Sequence, residues 1–409
     1  MKKILIFMII LVVVLLLILF GVWQKNAQAD DPYLSLPQDS FDALVLVDPN
    51  QQTKSNRYDL KKTTKEALSS QYQPLVSAEN TSLSYQKNLT VKIARTLDLS
   101  ENDLCHYGLF EKKGKQFAVF YAEISNQENA ERLCHLLLCY RDYFPILLFG
   151  NFNEAAQKSL TAVCDLSSET LNGTTYFYKN LSVTQHESSG TLSLHFKKTP
   201  RNLDLSKKMI ALTFDDGPSE YTDEILKTLA NYTAKATFFV NGSHVTDYPN
   251  TIQNIFSNRC EIGNHTNLHE LFSHNTQAII RKTIEETNKK VRNVIGIGTF
   301  VVRPPGGETL DRYQNPVSIG YPIVRWSLDT FDYTDNQTIE TLMQRIHNTK
   351  HGDIILMHDT KKITAEAANS IVSYLIEQNY QLVTVSELLE FASDGALKDC
   401  IYNDINVAK

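Results

Sequence analysis

The chain has 409 residues, 42% of them hydrophobic and 21% charged, a balance that suits two ordinary folded domains and excludes a largely disordered polymer. Forty basic against 46 acidic residues give a net charge of −6 with no long block of one sign, which argues against a nucleic-acid partner because phosphate binding needs a basic face. Six cysteines without a Cys-x-x-Cys pair do not support a thiolate metal site or a disulfide scaffold.

Residues 1–25 differ in kind from the rest. Lys2 and Lys3 precede Ile4–Trp23, an uncharged apolar run of 20 residues, and Lys25 follows. At a rise of about 1.5 Å per residue, such a run covers a hydrocarbon core of about 30 Å. The expectation is a membrane helix with its N-terminus in the cytoplasm and the rest of the chain outside the cell, since basic residues stay on the cytoplasmic side. The alternative is a cleaved signal segment, because Ala27-Gln28-Ala29 has the small-x-small form of a cleavage site and would release a chain starting at Asp30.

Residues 26–40, with Pro32 and Pro37, read as a linker. Residues 41–196 mix strand-like runs (Ala43–Val47, Phe117–Ala122, Thr174–Tyr178, Thr191–Phe196) with a helix-like stretch at Ala130–Tyr140, which predicts a small α+β domain of unassigned role. Its cysteines, Cys105, Cys134, Cys139 and Cys164, allow several pairings or none. Residues 197–208 are polar and carry Pro200, a second linker.

From Met209 the pattern becomes regular, and residues 209–392 are read as a second domain followed by a tail, 393–409. Apolar runs at Met209–Phe214, Thr237–Val240, Thr299–Val302, Ile323–Trp326, Ile354–Met357 and Leu382–Val385 alternate with helical segments, the clearest being Thr276–Val294 and Ala365–Gln378. Strands alternating with helices predict a parallel sheet, and about seven repeats suit a closed or partly closed barrel. Polar residues gather at the strand ends, where sites of parallel α/β folds are built.

The first cluster is Asp215-Asp216-Gly217-Pro218, two carboxylates pointing in different directions at a strand end. His265 and His269 stand four apart, a spacing at which both can face one point from a helical turn. With Asp216 as a third ligand they leave an open position on zinc or a similar divalent cation. Arg303-Pro304-Pro305-Gly306-Gly307 offers a guanidinium fork and glycines that let backbone approach a ligand. Asp329, Asp332 and Tyr333 follow a predicted strand containing Trp326, and Leu356 and His358 end another.

These five motifs, in this order and spacing, resemble the polysaccharide deacetylase family, the NodB-homology group of carbohydrate esterases. The resemblance covers about Met209–Ala392. It implies a distorted (β/α) barrel that removes acetyl groups from N-acetylated sugars in a polymer. By motif match, Asp216, His265 and His269 would hold one divalent metal ion, zinc or cobalt among the candidates. Asp215 would be the general base, Arg303 its orienting partner and His358 the general acid. Asp332 would tune His358, and Asp329 would support the network around Arg303. A backbone N–H near Gly307 would meet the oxyanion, and Trp326, Tyr333 and Leu356 would wall the acetyl pocket. Gly307 stands where many members carry an aromatic ring, which bears on sugar preference, and Tyr333 stands where many carry a tryptophan. The resemblance favours N-acetylglucosamine in peptidoglycan. Chitin, poly-N-acetylglucosamine and acetylated xylan are alternatives within the class, and a silent wall-binding scaffold is the alternative outside it.

Overall fold

The computed structural model describes residues 40–45, 73–74, 106–112, 115–171, 174–186, 191–308, 319–392 and 401–404. The expected membrane segment, the first linker, Cys105 and most of the 393–409 tail lie outside these. Among the described residues no helix is long and apolar enough to cross a membrane.

The first half holds strands β1 (Ser40–Val45), β2 (Gln73–Pro74), β3 (His106–Lys112), β4 (Lys115–Ile124), β5 (Ile146–Phe152), β6 (Ser167–Leu171), β7 (Thr174–Lys179), β8 (Leu181–His186) and β9 (Thr191–Phe196), with helices α1 (Gln127–Tyr140) and α2 (Glu154–Ala162). Six strands pair in the order β2-β3-β4-β5-β7-β6, and β1-β9-β8 form a separate antiparallel sheet. Only β4 and β5 run parallel in the larger sheet, with α1 as their crossover. Asn126 and Asn153 start the two helices by accepting the N–H of Asn129 and Ala156. That capping begins α1 three residues before the Ala130 read from apolar spacing.

The second half alternates β10 (Met209–Asp215), α3 (Thr222–Asn231), β11 (Thr237–Val240), α4 (Gly242–Asp247), α5 (Pro249–Ser257), β12 (Glu261–Asn264), α6 (Gln277–Ile295), β13 (Ile323–Val324), β14 (Leu328–Asp329), α7 (Ile339–Ile346), β15 (Ile354–His358), α8 (Lys362–Glu377), β16 (Gln381–Val383), α9 (Val385–Ala392) and β17 (Ile401–Tyr402). It is an α/β domain on a parallel sheet ordered β12-β11-β10-β15-β14, with β16 on the N-terminal half of β10. Single bridges through Val302 carry the ladder from Asn264 to Ile323. Among the described residues no ladder joins β13 to β14, so the ring of strands is open at that seam.

Three strand expectations are corrected. Thr299–Val302 is not a strand beyond Val302, because Asn288 Oδ1 accepts both the N–H and the hydroxyl of Thr299, and Pro304 and Pro305 have no N–H to offer a ladder. The Ile323–Trp326 run pairs only at Ile323–Val324. Leu382–Val385 stops at Val383, where Thr384 and Glu387 cap α9 reciprocally: each donates its backbone N–H to the other's side chain. The short strand β12, with Ile262 as its single large apolar residue, gives no periodic signal in the sequence.

One apolar core runs through both halves. Phe120, Leu137, Tyr140, Phe144 and Leu148 pack with Met209, Val383, Leu388 and Phe391. A second core, with Leu212, Phe214, Leu226, Phe238, Ile355 and Ile371, lies within the second half. Residues 197–208 are tied to both sides, Arg201 N–H donating to the Asp142 carbonyl and Asp204 N–H to Gln381.

Candidate active site

Strand pairing places the site. Asp215 ends β10, His358 ends β15, and the parallel register sets them opposite one another. Both strands are apolar and buried up to these last residues, so the charged groups emerge only where the sheet stops.

Arg303 is fully buried beneath them. Its Nη1 donates to Thr213 Oγ1 and to Asp215 Oδ1, each at 2.7 Å. Nε donates to the Val324 carbonyl at 3.2 Å and Nη2 to that of Arg325 at 2.8 Å. The guanidinium stacks 4.1 Å from the Phe239 ring and 5.7 Å from that of Trp326. Burial lowers the Arg303 pKa, and the Asp215 charge opposes that fall. A cation held from so many directions fixes Asp215 in one orientation.

Asp216 follows in the left-handed region, at φ +71°, which turns its carboxylate away from the strand. Its Oδ1 lies 3.4 Å from Nε2 of both His265 and His269. The two histidines are not on a helical turn as their spacing suggests. They sit on a loop in which Thr266 and His269 have positive φ, because Asn264 Oδ1 accepts the Thr266 N–H and Thr266 Oγ1 accepts that of Glu270. His265 Nδ1 is 2.8 Å from the Arg303 carbonyl, which assigns its proton there and turns the Nε2 lone pair toward Asp216. Asp216 Oδ1 is buried without a hydrogen-bond partner. The three donor atoms lie within 4.8 Å of one another. A buried, unpartnered carboxylate oxygen facing the Nε2 atoms of two histidines is a donor set that a divalent cation fits. Burial raises the Asp216 pKa, but the neighbouring His265 and the charges of His358 and His269 outweigh it and bring the value to about 2.

His358 Nδ1 is 2.8 Å from Asp332 Oδ1, while Asp332 Oδ2 accepts the His358 backbone N–H and the Thr364 hydroxyl. Burial opposes charge on His358, yet the bond to Asp332 and the carboxylates of Asp215 and Asp216 prevail, and its pKa lies above the ordinary histidine value. Tyr333 is exposed, with its ring 5.3 Å from that of His358. Leu356 is buried in β15 between Thr213 and Asp329.

Two expectations need correction. Asp329 does not reach Arg303: it accepts the Phe331 N–H at 2.7 Å and the Tyr333 hydroxyl at 3.2 Å, bracing its own loop, while Arg303 is satisfied by Thr213, Asp215 and two carbonyls. The Gly307 N–H is spent on the Pro304 carbonyl at 3.0 Å. Among the described residues no acceptor meets the Gly306 N–H, and Gly306 is exposed, at φ +67°. Gly307 also has positive φ and rests on Trp326, whose ring would come within 2.5 Å of any Cβ there. Trp326 therefore supports this loop from below.

Residues missed from the sequence include Thr213, Phe239, Thr364 and His244, whose Nδ1 is 2.8 Å from the Asp216 carbonyl. Thr213, two residues before Asp215, reads from the sequence as part of a buried strand and of the Asp-Asp motif, with no role of its own. Asp359, directly after His358, was missed as well. It is fully buried, and its burial pushes its pKa up to about 7.

The polysaccharide deacetylase family model matches residues 202–323. A peptidoglycan-N-acetylglucosamine deacetylase of Bacillus cereus is 35% identical over 194 residues, covering 46% of this chain and 90% of that protein. The chain belongs to the polysaccharide deacetylase family. A Bacillus subtilis peptidoglycan-N-acetylmuramic acid deacetylase is 37% identical over 190 residues, 46% of this chain and 40% of that protein. A Listeria monocytogenes peptidoglycan-N-acetylglucosamine deacetylase is 35% identical over 185 residues, 45% of this chain and 39% of that one. The aligned part thus spans well under half the length of these two polysaccharide deacetylases.

Proposed function

We propose that this polysaccharide deacetylase hydrolyses the acetamido group of N-acetylglucosamine in peptidoglycan, outside the cell, releasing acetate and leaving a free amine. The observation that carries the reading is the three-ligand group Asp216, His265 and His269 beside Asp215 and His358, which face each other across paired strands. The polymer is argued from the names of the relatives, and the location from the apolar run Ile4–Trp23, read as a membrane anchor.

Asp216, His265 and His269 would hold one divalent metal ion, zinc first among candidates. Such an ion supplies Lewis acidity, polarising the amide carbonyl and making water a better nucleophile at neutral pH. Asp215 acts as general base. Arg303 engages its Oδ1, which leaves Oδ2 to take the proton from the attacking water. His358 is the general acid: Asp332 holds its Nδ1 proton and raises its pKa, so that Nε2 delivers a proton to the departing amine near neutral pH. The Gly306 amide, rather than that of Gly307, is the backbone donor left to meet the developing oxyanion. Tyr333, whose ring lies beside that of His358, would supply the aromatic side of the acetyl pocket.

Acetate release by the chain from Asp30 onward, with zinc or cobalt added, tests the reading on peptidoglycan, chitin oligomers and acetylated xylan side by side. Chelator-sensitive release, greatest on peptidoglycan, is expected. Greater release from another polymer would move the substrate assignment. No release from any of them, with metal bound, would favour a silent wall-binding protein.

A further inference from the structure

Asp359 is a buried titratable group that the chemistry above does not use. It follows His358 at the end of β15, and its side chain reaches across to the loop that follows Asp216 on β10. Thr222 Oγ1 donates to Asp359 Oδ2 at 2.6 Å, and the same Oγ1 accepts the Ser219 N–H at 2.8 Å. The Ser219 hydroxyl donates to the Asp359 backbone carbonyl at 2.5 Å. Asp359 Oδ1 is buried with no hydrogen-bond partner. A Cβ built on Gly217 would fall 2.1 Å from Asp359 Oδ2 and 2.2 Å from Oδ1. Gly217 does not have positive φ, so backbone strain does not exclude a side chain there. The contact with Asp359 does.

We propose that Asp359 is a positioning residue, which clamps the Gly217–Thr222 loop to the end of β15 and thereby sets Asp216 against His265 and His269, and Asp215 against His358. This rests on the metal-site reading above. The physical reason is the direction of support: Asp216 sits in a left-handed turn held on one side by contacts of its carbonyl with Asn241 and His244. On the other side the chain runs straight into Gly217, whose carbonyl accepts the Asn241 N–H and whose α-carbon faces the Asp359 carboxyl that the Thr222 hydroxyl holds in place. Without that backing the turn can relax by the few tenths of an ångström to which ligand sets and proton transfers are sensitive.

The experiment is zinc titration of the apo full-length chain by calorimetry, with kcat and KM on a soluble acetylated oligomer, for the wild type, Asp359→Ala, Asp359→Asn and Thr222→Val. Asp359→Ala is expected to weaken zinc binding by roughly 10-fold or more and to lower kcat, with KM changed less than about twofold. Asp359→Asn keeps the shape and the acceptor for Thr222 and is expected to restore both within about threefold. A Gly217→Ala change, harmful in the native chain, is expected to cost less on the Asp359→Ala background, because the atoms it strikes are gone. Zinc affinity and kcat of Asp359→Ala within about twofold of wild type would overturn the proposal, as would equal losses in Asp359→Asn and Asp359→Ala. Should Asp359→Ala fail to fold, Thr222→Val decides, and wild-type zinc binding and kcat there overturn it. A wild type that binds no zinc would instead break the metal-site reading.

Discussion

Two buried clusters of charge occupy opposite ends of the parallel strands, and they are built differently. At the N-terminal end, Lys235 is buried between Asp142 at 2.9 Å and Glu387 at 2.5 Å, over the ring of Tyr143 at 4.4 Å, whose hydroxyl donates to Glu387. Burial opposes charge on Lys235, but Glu387, Tyr143 and Asp142 raise its pKa. At the C-terminal end Asp215 and Arg303 are paired in the same way, yet beside them Asp216 Oδ1 and Asp359 Oδ1 are buried without partners. No carboxylate oxygen of the Lys235 cluster is buried without a partner, although the Arg141 Nε beside Asp142 is, and carboxylates matched in this way hold a structure together. A cluster with a valence left over waits for something else.

The largest test of that contrast is to empty the open cluster. His265→Ala with His269→Ala is expected to abolish both zinc binding and turnover without unfolding the chain, as calorimetry and acetate release would register. Next comes Asp215→Asn, which should keep zinc but lower kcat by roughly 10²–10⁴-fold, the usual worth of a positioned base; full activity in that variant sinks the assigned mechanism.

The closed cluster should respond in stability instead. Lys235→Met leaves Glu387 without its cation and Asp142 with only the more distant Arg141 and Arg259, and is expected to cost about 3–5 kcal/mol in chemical denaturation, with zinc affinity unchanged in the folded fraction. Loss of zinc binding there would mean that the two ends are not independent. The smallest effect concerns pH. Because Asp332 raises the His358 pKa, Asp332→Asn should lower it, and the alkaline limb of the kcat/KM profile should move to lower pH, since the acid then loses its proton earlier. An unmoved limb would assign the general acid elsewhere.

The contrast also explains what was readable from sequence. Asp215, Asp216 and His358 sit at or just beyond the ends of apolar runs that form β10 and β15, so strand patterning brings them to one mouth, whereas His265 follows β12, which carries no periodic signal, and Arg303 follows a run paired only at Val302. What pattern cannot carry is side-chain reach. Asp329 and Asp332 stand three apart with the same chemistry, yet one braces Tyr333 and the other accepts hydrogen bonds from both the backbone N–H and the ring of His358. Asp359 adjoins a motif residue but acts through Gly217, more than a hundred positions earlier in the chain, and no local pattern marks that contact. The spacing of His265 and His269 suggests a helical turn, whereas the structure brings their rings together on a loop. The Thr299–Val302 run does not form the expected strand because Asn288, on α6 just before it in the chain, takes the hydrogen bonds of Thr299.

The core shared between the halves bears on how the molecule is made. Tyr140 and Tyr143, at and just beyond the end of α1, pack edge-on against Phe391, and the Tyr140 hydroxyl meets Glu390, a partner 250 positions later in the chain. During synthesis the first half emerges well before the helix that covers it. Its aromatic face must then stay uncovered while most of the second half is still being built, so the chain finishes folding as one late, long-range event rather than domain by domain.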